Sequence, residues 1–516
     1  MPYDYRPFPY IVPPGLTAPE PRHKVVIVGA GPIGLALAID LAQHGVASVV
    51  LDDNNVVSVG SRAICWSKRS LEILDRLGVG AKCVEKGVIW TVGRTLHRDE
   101  EVWTFDLQPD PGHKMPAFVN LQQYYVEEYL VTRAMEFPEL IDLRWKNKVT
   151  SVKAADHVVL TVETPDGAYP LEAVHVVACD GAKSAIRGML GLDFDGELFE
   201  ERFLIADIEM TGDFPSERRF WFEPPFHAGQ SALLHKQPDN IYRIDLQLGW
   251  DADPEAERQP EKVIPRIEKA VGHRDFRLDW VSVYTFQCRR LAKFVHGPVI
   301  FCGDSAHVVS PFGARGGNGG LQDVDALGWR LAAVAKGADA AMLNAYDRER
   351  QHGADENLLN SSRTTRFMSP AAGAERLFRD AVLALAGKAG FARPLVNSGR
   401  LSRPCVYPLP GSSDDPALPF AARPGAVAPD APLANGWLID RLGREVVVLA
   451  IGQPAPKVTG VMVLELAVTP ELQTRYLGDA AQAVYLIRPD QIVAARWVTA
   501  TSEAIAKEAA AIGRDA

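Results

Sequence analysis

With 516 residues, 47% of them hydrophobic and 23% charged, the chain exceeds what one core usually covers and is too apolar for disorder, so two or three domains are expected. Lys and Arg number 55 against 65 Asp and Glu, and the resulting net charge of −10 argues against nucleic acid as a main partner. Cys65, Cys83, Cys179, Cys288, Cys302 and Cys405 form no C-x-x-C pair and fit neither zinc nor disulfide spacing, so reduced thiols in a cytoplasmic protein are expected, with no metal site. No run of about 18 uncharged apolar residues suggests a membrane span.

Residues 1–23 are rich in proline and are expected to lie extended on the surface. Order begins at Lys24–Val28, a continuous apolar run with the composition of a buried parallel strand. A glycine turn, a helical pattern over Ile33–His44 and a second apolar run, Ala47–Leu51, complete a βαβ unit. The turn reads Gly29-Ala-Gly31-Pro-Ile-Gly34. Gly29 permits a tight turn, Gly31 lets the backbone approach a pyrophosphate, and Gly34 lets the helix pack close to the sheet. Asp52 ends the second strand, where a carboxylate can accept from a ribose hydroxyl. The helix N-terminus favours an anion. This fingerprint alone does not separate FAD from NAD.

Val158–Glu163, the turn Pro165-Asp166-Gly167 and Leu171–Ala178 read as a hairpin leading into another strand. That strand ends at Asp180-Gly181, followed by a short helix with Ser184 and Arg187 in its first turns. Alternation in Ile241–Leu248 and Trp280–Phe286 predicts an antiparallel sheet, and so an inserted α+β domain over 201–289. Val299–Phe301 returns to buried-strand composition. It runs into Gly303-Asp304-Ser305-Ala306-His307 and then Pro311-Phe312-Gly313-Ala314-Arg315-Gly316-Gly317-Asn318-Gly319-Gly320, with a helix expected from about Gly320 to Ala335. A carboxylate at a strand end can bond a polyol, and a glycine-dense loop at a helix start gathers N–H donors at one spot. No G-x-x-x-x-G-K-[ST] is present, which disfavours a nucleoside triphosphate. Residues 404–434 have linker composition, and 435–516 carry strand-like runs of a further small domain.

Taken together, the glycine signature, the Asp180-Gly181 turn and the Gly303-Asp304 turn resemble, in order and spacing, the FAD-dependent aromatic hydroxylases of the p-hydroxybenzoate hydroxylase and 3-(3-hydroxyphenyl)propionate hydroxylase type. The resemblance covers about residues 24–400. Gly60-Ser61-Arg62-Ala63, Gln123–Glu127 and Asn344–Arg350 agree with it. The tail, with Trp437–Asp440 and Tyr485–Asp490, is similar to the degenerate thioredoxin-like domain of some members, here without redox cysteines.

The resemblance implies an α/β fold: a Rossmann-like FAD-binding domain (24–200 and 290–400), an α+β substrate domain (201–289), a linker (404–434) and a thioredoxin-like domain (435–516). It implies that Gly29, Gly31 and Gly34 hold the FAD pyrophosphate and Asp52 the adenosine ribose. Arg62 would lie along the diphosphate, Gln123 near the ribityl chain and Asp304 on the ribityl hydroxyls. The amides of Gly316, Gly317 and Asn318 would face the flavin pyrimidine edge. Asp180 and Gly181 match a turn shared by FAD and NAD(P)H, with Arg187 on its helix. Pro311 would sit beside the substrate, and Arg315 departs from the usual loop by adding a fixed positive charge. Of the residues able to accept a phenolic proton in 201–289, His227, His235 and Tyr284 are the candidates. The activity implied is a monooxygenase: NADH or NADPH reduces FAD, and a flavin C4a-hydroperoxide passes oxygen to an electron-rich ring. The partners are a small aromatic substrate and dioxygen, with a homodimer as the assembly. The alternatives are a flavin reductase or oxidase and a non-catalytic redox-sensing flavoprotein. A halogenase lacks its W-x-W-x-I-P run here.

Overall fold

The computed structural model describes residues 3–512 except 61, 108, 109, 213, 214, 250, 312, 372, 397–400 and 402, and for 199–201 the backbone alone. Ser61 and Phe312 of the motifs above therefore lie outside the described residues. The strand β1 (His23–Val28) is buried over its last four residues, and α1 (Pro32–Gln43) follows the glycine turn. On one side β1 pairs in parallel with β2 (Ser48–Asp52), which pairs in parallel with β3 (Ile141–Trp145). On the other it pairs in parallel with β4 (Gly167–Ala178), itself parallel to β5 (Val299–Phe301). The order β5-β4-β1-β2-β3 puts the C-terminal ends of β1, β4 and β5 side by side. All three glycine-bearing turns leave the sheet there, which is where open α/β sheets bind ligands.

Helix α1 is buried along Gly34–Ala42 without a break, because it is covered by α2 (Gly316–Ala335) as well as by the sheet. The close approach requires Gly328: a Cβ there would lie 1.8 Å from Asp40 Oδ2. Asp40 is fully enclosed as a result, and burial pushes its carboxyl up to about 7. The helix α2 begins four residues earlier than the sequence suggests: the glycine-dense run forms its first turn, and the Arg315 carbonyl accepts from Gly319 N at 2.7 Å.

A second, eight-stranded sheet runs in the spatial order His307–Val308, Arg277–Arg290, Asp195–Glu209, Ile241–Gln247, Ser231–Lys236, Arg218–Phe222, Val92–His97, Glu100–Asp106. It contains the antiparallel strands expected in 201–289 and gains an edge from residues 92–106. Side chains alternate across it. One face buries Leu204, Ala206, Ile208, Tyr242, Ile244 and Leu246 against the helix Pro260–Val271. The other face carries polar residues and looks toward the first sheet.

The C-terminal region forms a four-stranded sheet in the order Met462–Leu466, Val447–Ile451, Ala483–Ile487, Val493–Trp497, with the helix Ser502–Ala511 after it. Residues 404–434 are packed rather than free: Leu418, Ala422, Ala428 and Ala431 join the core beneath this sheet. Buried charges tie the region to α2 and α3 (Met342–Met368). Arg488 bonds Glu349 at 2.7 and 2.9 Å, and Arg69 bonds Gln491 at 2.6 Å and Asp325 at 2.5 Å. Among the described residues, no helix is long and apolar enough to cross a membrane, and no cluster of ligating side chains could hold a metal.

Candidate active site

One continuous cavity of about 910 Å³ runs from the glycine turn after β1, past the ends of β4 and β5, to the polar face of the second sheet. Its first half is made mostly of backbone. Gly29 has φ +109°, and a Cβ on it would lie 2.4 Å from the Cys179 carbonyl; a Cβ on Gly34 would lie 1.9 Å from the Gly29 carbonyl. Both positions require glycine for packing. Gly31 differs, because a Cβ there meets nothing within 4 Å and would project into the open cleft. The amides of Ile33 and Gly34 at the start of α1 have no protein acceptor among the described residues. Asp52 accepts from Ala30 N at 2.7 Å and Asn54 N at 2.8 Å, so it braces the turn while facing the cleft. Burial pushes its carboxyl up to about 6, against those two bonds.

Gln123 holds the neighbouring loop: its Oε1 accepts from Ala63 N at 3.1 Å, and its Nε2 donates to Ser58 Oγ at 3.1 Å and Glu127 Oε1 at 2.7 Å. Arg62 lines the same stretch, and its carbonyl accepts from Arg243 Nη1 at 2.9 Å. At the end of β4, Asp180 Oδ2 accepts from Ile186 N at 3.0 Å, while Oδ1 is enclosed and has no partner. Gly181 takes φ +78°, beside it in the cleft. Arg187 lies outside the cavity lining, contrary to a direct cofactor contact. Its guanidinium lies 3.8 Å over the Phe194 ring and donates to the Ser305 and Ala182 carbonyls, pinning this turn to the next.

At the end of β5, the Asp304 carboxylate is open to the cleft, and desolvation by its walls raises its pKa. The amides of Gly316, Gly317 and Asn318 form the first turn of α2 without protein acceptors among the described residues, and all three residues line the cavity. Asn318's own side chain is committed to structure, accepting from Ser67 N at 2.9 Å and donating to the Cys65 and Ala314 carbonyls. Arg315 lines the cavity, and its Nη1 donates to Asn357 Oδ1 on α3 at 3.2 Å. Pro311 lines the same cavity. His307 is tied to Asp323 at 2.7 Å and is part of the core. An enclosed unpartnered carboxylate oxygen, a free carboxylate and two helix N-termini converging on one elongated cleft fit a dinucleotide with a polyol arm such as FAD.

The second half consists of side chains from the facing sheet. Register fixes which residues meet: His235 pairs with Arg243 and Arg243 with Asp207; Leu233 pairs with Asp245 and Asp245 with Ile205. Arg218, Ile205, Leu233, His235, Arg243, Asp245, Tyr284 and Phe286 line the cavity. Of the sequence candidates for a proton acceptor, His235 and Tyr284 are therefore in the cavity. His227 is not: its Nε2 lies 2.6 Å from the Gln247 carbonyl, on the far side of the sheet from the cleft lining. Trp221 and Phe226 likewise meet edge to face, packed against the core under the sheet. Burial drives the His235 pKa well down, and Arg218 and Arg243 reinforce this, so its ring is neutral. Arg218, Arg243 and Asp245 also line the cavity and carry no motif in the sequence. The signal available was the alternation in Ile241–Gln247, which places Arg243 and Asp245 opposite Tyr242, Ile244 and Leu246.

Residues 22–361 match the FAD binding domain family. Over 485 residues the chain is 30% identical to a protein of Mycobacteroides abscessus named flavin-dependent monooxygenase, covering 90% of this chain and 95% of that one. It is also 30% identical, over 351 residues, to a probable NADH-specific resorcinol 4-hydroxylase of Rhodococcus jostii, covering 66% of this chain and 64% of that protein. Among solved structures, the flavin-dependent monooxygenase PieE, in complex with FAD and substrate, superposes with a TM-score of 0.78 at 21% identity, covering 96% of this chain and 99% of that one.

Proposed function

This chain belongs to the FAD-binding flavin-dependent monooxygenases, and from that premise we propose that it hydroxylates a phenolic or related electron-rich aromatic substrate with NADH or NADPH as electron donor. The observation that carries this reading is the continuity of the cavity, in which a backbone-built cofactor cleft opens onto a sheet face bearing polar groups. Bound in the cleft, FAD supplies activation of dioxygen and delivery of one oxygen atom. The protein does the rest. Amides at the start of α1 hold the diphosphate and Asp52 the adenosine ribose, while Asp304 takes the ribityl hydroxyls. The amides of Gly316, Gly317 and Asn318, at the positive end of a 20-residue helix, would stabilise negative charge on a bound flavin. Pro311 and Arg315 border the reacting centre, and the enclosing sheet excludes water from it. The relative's description as NADH-specific supports a pyridine nucleotide as donor.

On this reading the first sheet carries the cofactor and the second the substrate. The C-terminal strand order, with the first two strands parallel and the third and fourth antiparallel, supports a thioredoxin-like origin. No cysteine lies beyond Cys405, so that region has no thiol for redox chemistry, and its proposed role is support. The test follows NADH and NADPH oxidation in air across phenols and hydroxypyridines, weighing each product. A ligand that accelerates oxidation and gains one oxygen is expected. Oxidation yielding only hydrogen peroxide, with every ligand unchanged, would overturn the reading in favour of an oxidase or a sensor.

A further inference from the structure

The polar row on the second sheet contains two charged groups whose surroundings are incomplete. Asp245 makes no hydrogen bond and no ion pair among the described residues, and its Oδ1 is enclosed without a partner. Arg218 is 9% exposed, lines the same cavity and likewise has no hydrogen bond or ion pair among them. By contrast, the neighbouring Arg243 is satisfied, donating to both Asp207 oxygens at 2.9 and 3.1 Å. A desolvated carboxylate and a desolvated guanidinium each cost free energy unless something bonds them, and buried polar groups without protein partners call for a ligand.

We propose that Asp245 is the catalytic residue that accepts the ring-hydroxyl proton of the substrate, and that Arg218 holds the resulting phenolate. The inference rests on the aromatic-hydroxylase reading above and names the chemistry of its substrate: a ring bearing an ionisable hydroxyl. In the step, the substrate O–H bond breaks and an Oδ–H bond forms on Asp245. The charge that leaves the carboxylate reappears on the substrate oxygen beside Arg218, and ring electron density rises where oxygen is to be added.

The alternatives within the cavity are worse proton acceptors for a physical reason. His235 sits between Arg218 and Arg243, its pairing neighbour, so a proton taken there would create a third cation in one row. Its Nδ1 is also 3.8 Å from Cys65 Sγ. Tyr284, on the strand Arg277–Arg290, is a phenol itself and gains nothing by the exchange. Protonating Asp245 instead removes a desolvated negative charge. The groups facing it are Arg243 on its own strand, Asp207 across on the Asp195–Glu209 strand, Arg218 on the Arg218–Phe222 strand, His235 on the Ser231–Lys236 strand and Cys65 from the first domain. Burial pushes its carboxyl up to about 6, with Asp207 adding to this and the two arginines opposing it.

The test uses the FAD-loaded enzyme with 4-nitrophenol, whose ionised form is read by its own absorbance in difference spectra. Wild-type enzyme is expected to bind it as the phenolate at a pH where the free ligand is largely neutral. Asp245→Asn should bind it as the neutral phenol, and Asp245→Glu should restore part of the phenolate signal. FAD content and thermal stability establish that each variant is folded. With a substrate found in the panel above, Asp245→Asn should lower the hydroxylation rate by about 100-fold and abolish the acid limb of the pH profile near 6. A purely structural role would not move either the bound-ligand spectrum or that limb. Wild-type enzyme giving no phenolate signal, through failure to bind or failure to ionise the ligand, would overturn the proposal. So would a folded Asp245→Asn enzyme with an unchanged signal. The monooxygenase reading fails separately, and only if no ligand gains oxygen.

Discussion

The cofactor wall of the cavity offers main-chain N–H groups from turns at the ends of three neighbouring strands, whereas the substrate wall offers side chains from five strands of another sheet. The first kind of wall is local. Its donors are fixed by glycines a few residues apart, and swapping the surrounding side chains leaves it largely intact. The second kind is assembled by register, and each contributor is separated in sequence from the others by a strand or more. On the proposed reading, chemistry common to many substrates rests on the first wall and selectivity between substrates on the second.

The largest effect should come from filling the turn itself. Gly34→Ala places a methyl 1.9 Å from the Gly29 carbonyl, so α1 must move off the sheet. The purified variant should carry no flavin absorbance. Full loading would show that the turn is not the diphosphate site. Next, Asp304→Ala should weaken FAD binding by about 10- to 100-fold, the value of hydrogen bonds to a charged group, with the apo-protein's thermal stability unchanged. Gly31→Ala sharpens the contrast further. Its methyl meets no protein atom within 4 Å, so stability should hold while FAD affinity falls about tenfold. If affinity holds as well, the cofactor does not approach that backbone.

Arg315→Ala, on the boundary between the walls, should retain FAD yet turn over about tenfold more slowly. Unchanged turnover would reduce Arg315 to a tether for Asn357. The smallest effect concerns stability alone. Folding raises the Asp40 carboxyl from an ordinary 3.8 to about 7, so the folded state binds the proton more tightly. Wild-type stability should accordingly fall as pH rises between about 4 and about 7, and the cost persists above that range. Asp40→Asn removes the cost, and its Tm should exceed wild type by a few degrees near pH 8 and by much less near pH 5. An equal difference at both would mean that Asp40 titrates normally.

What the sequence disclosed follows the same division. The turn after β1, Asp180-Gly181 and Asp304 are readable because strand, turn and helix signals are contiguous there. The start of α2 is hard to read because four glycines within 316–320 look like loop, yet packing against Ile33 of α1 and against Gly303 holds them helical. The packing of 404–434 was hidden by its proline content. In the substrate wall, residue type alone points equally to His227, His235 and Tyr284, yet only His235 and Tyr284 reach the cavity. Asp245 and Arg218 carry no motif. They become visible only once register sets one beside Leu233 and the other on the next strand.

The most direct test of the account is a single turnover in dioxygen labelled with the heavy isotope, using the aromatic ligand that most accelerates NADH or NADPH oxidation. One labelled oxygen atom on the aromatic product is expected for each pyridine nucleotide oxidised. A product whose added oxygen comes from water, or label recovered entirely in hydrogen peroxide, would contradict it.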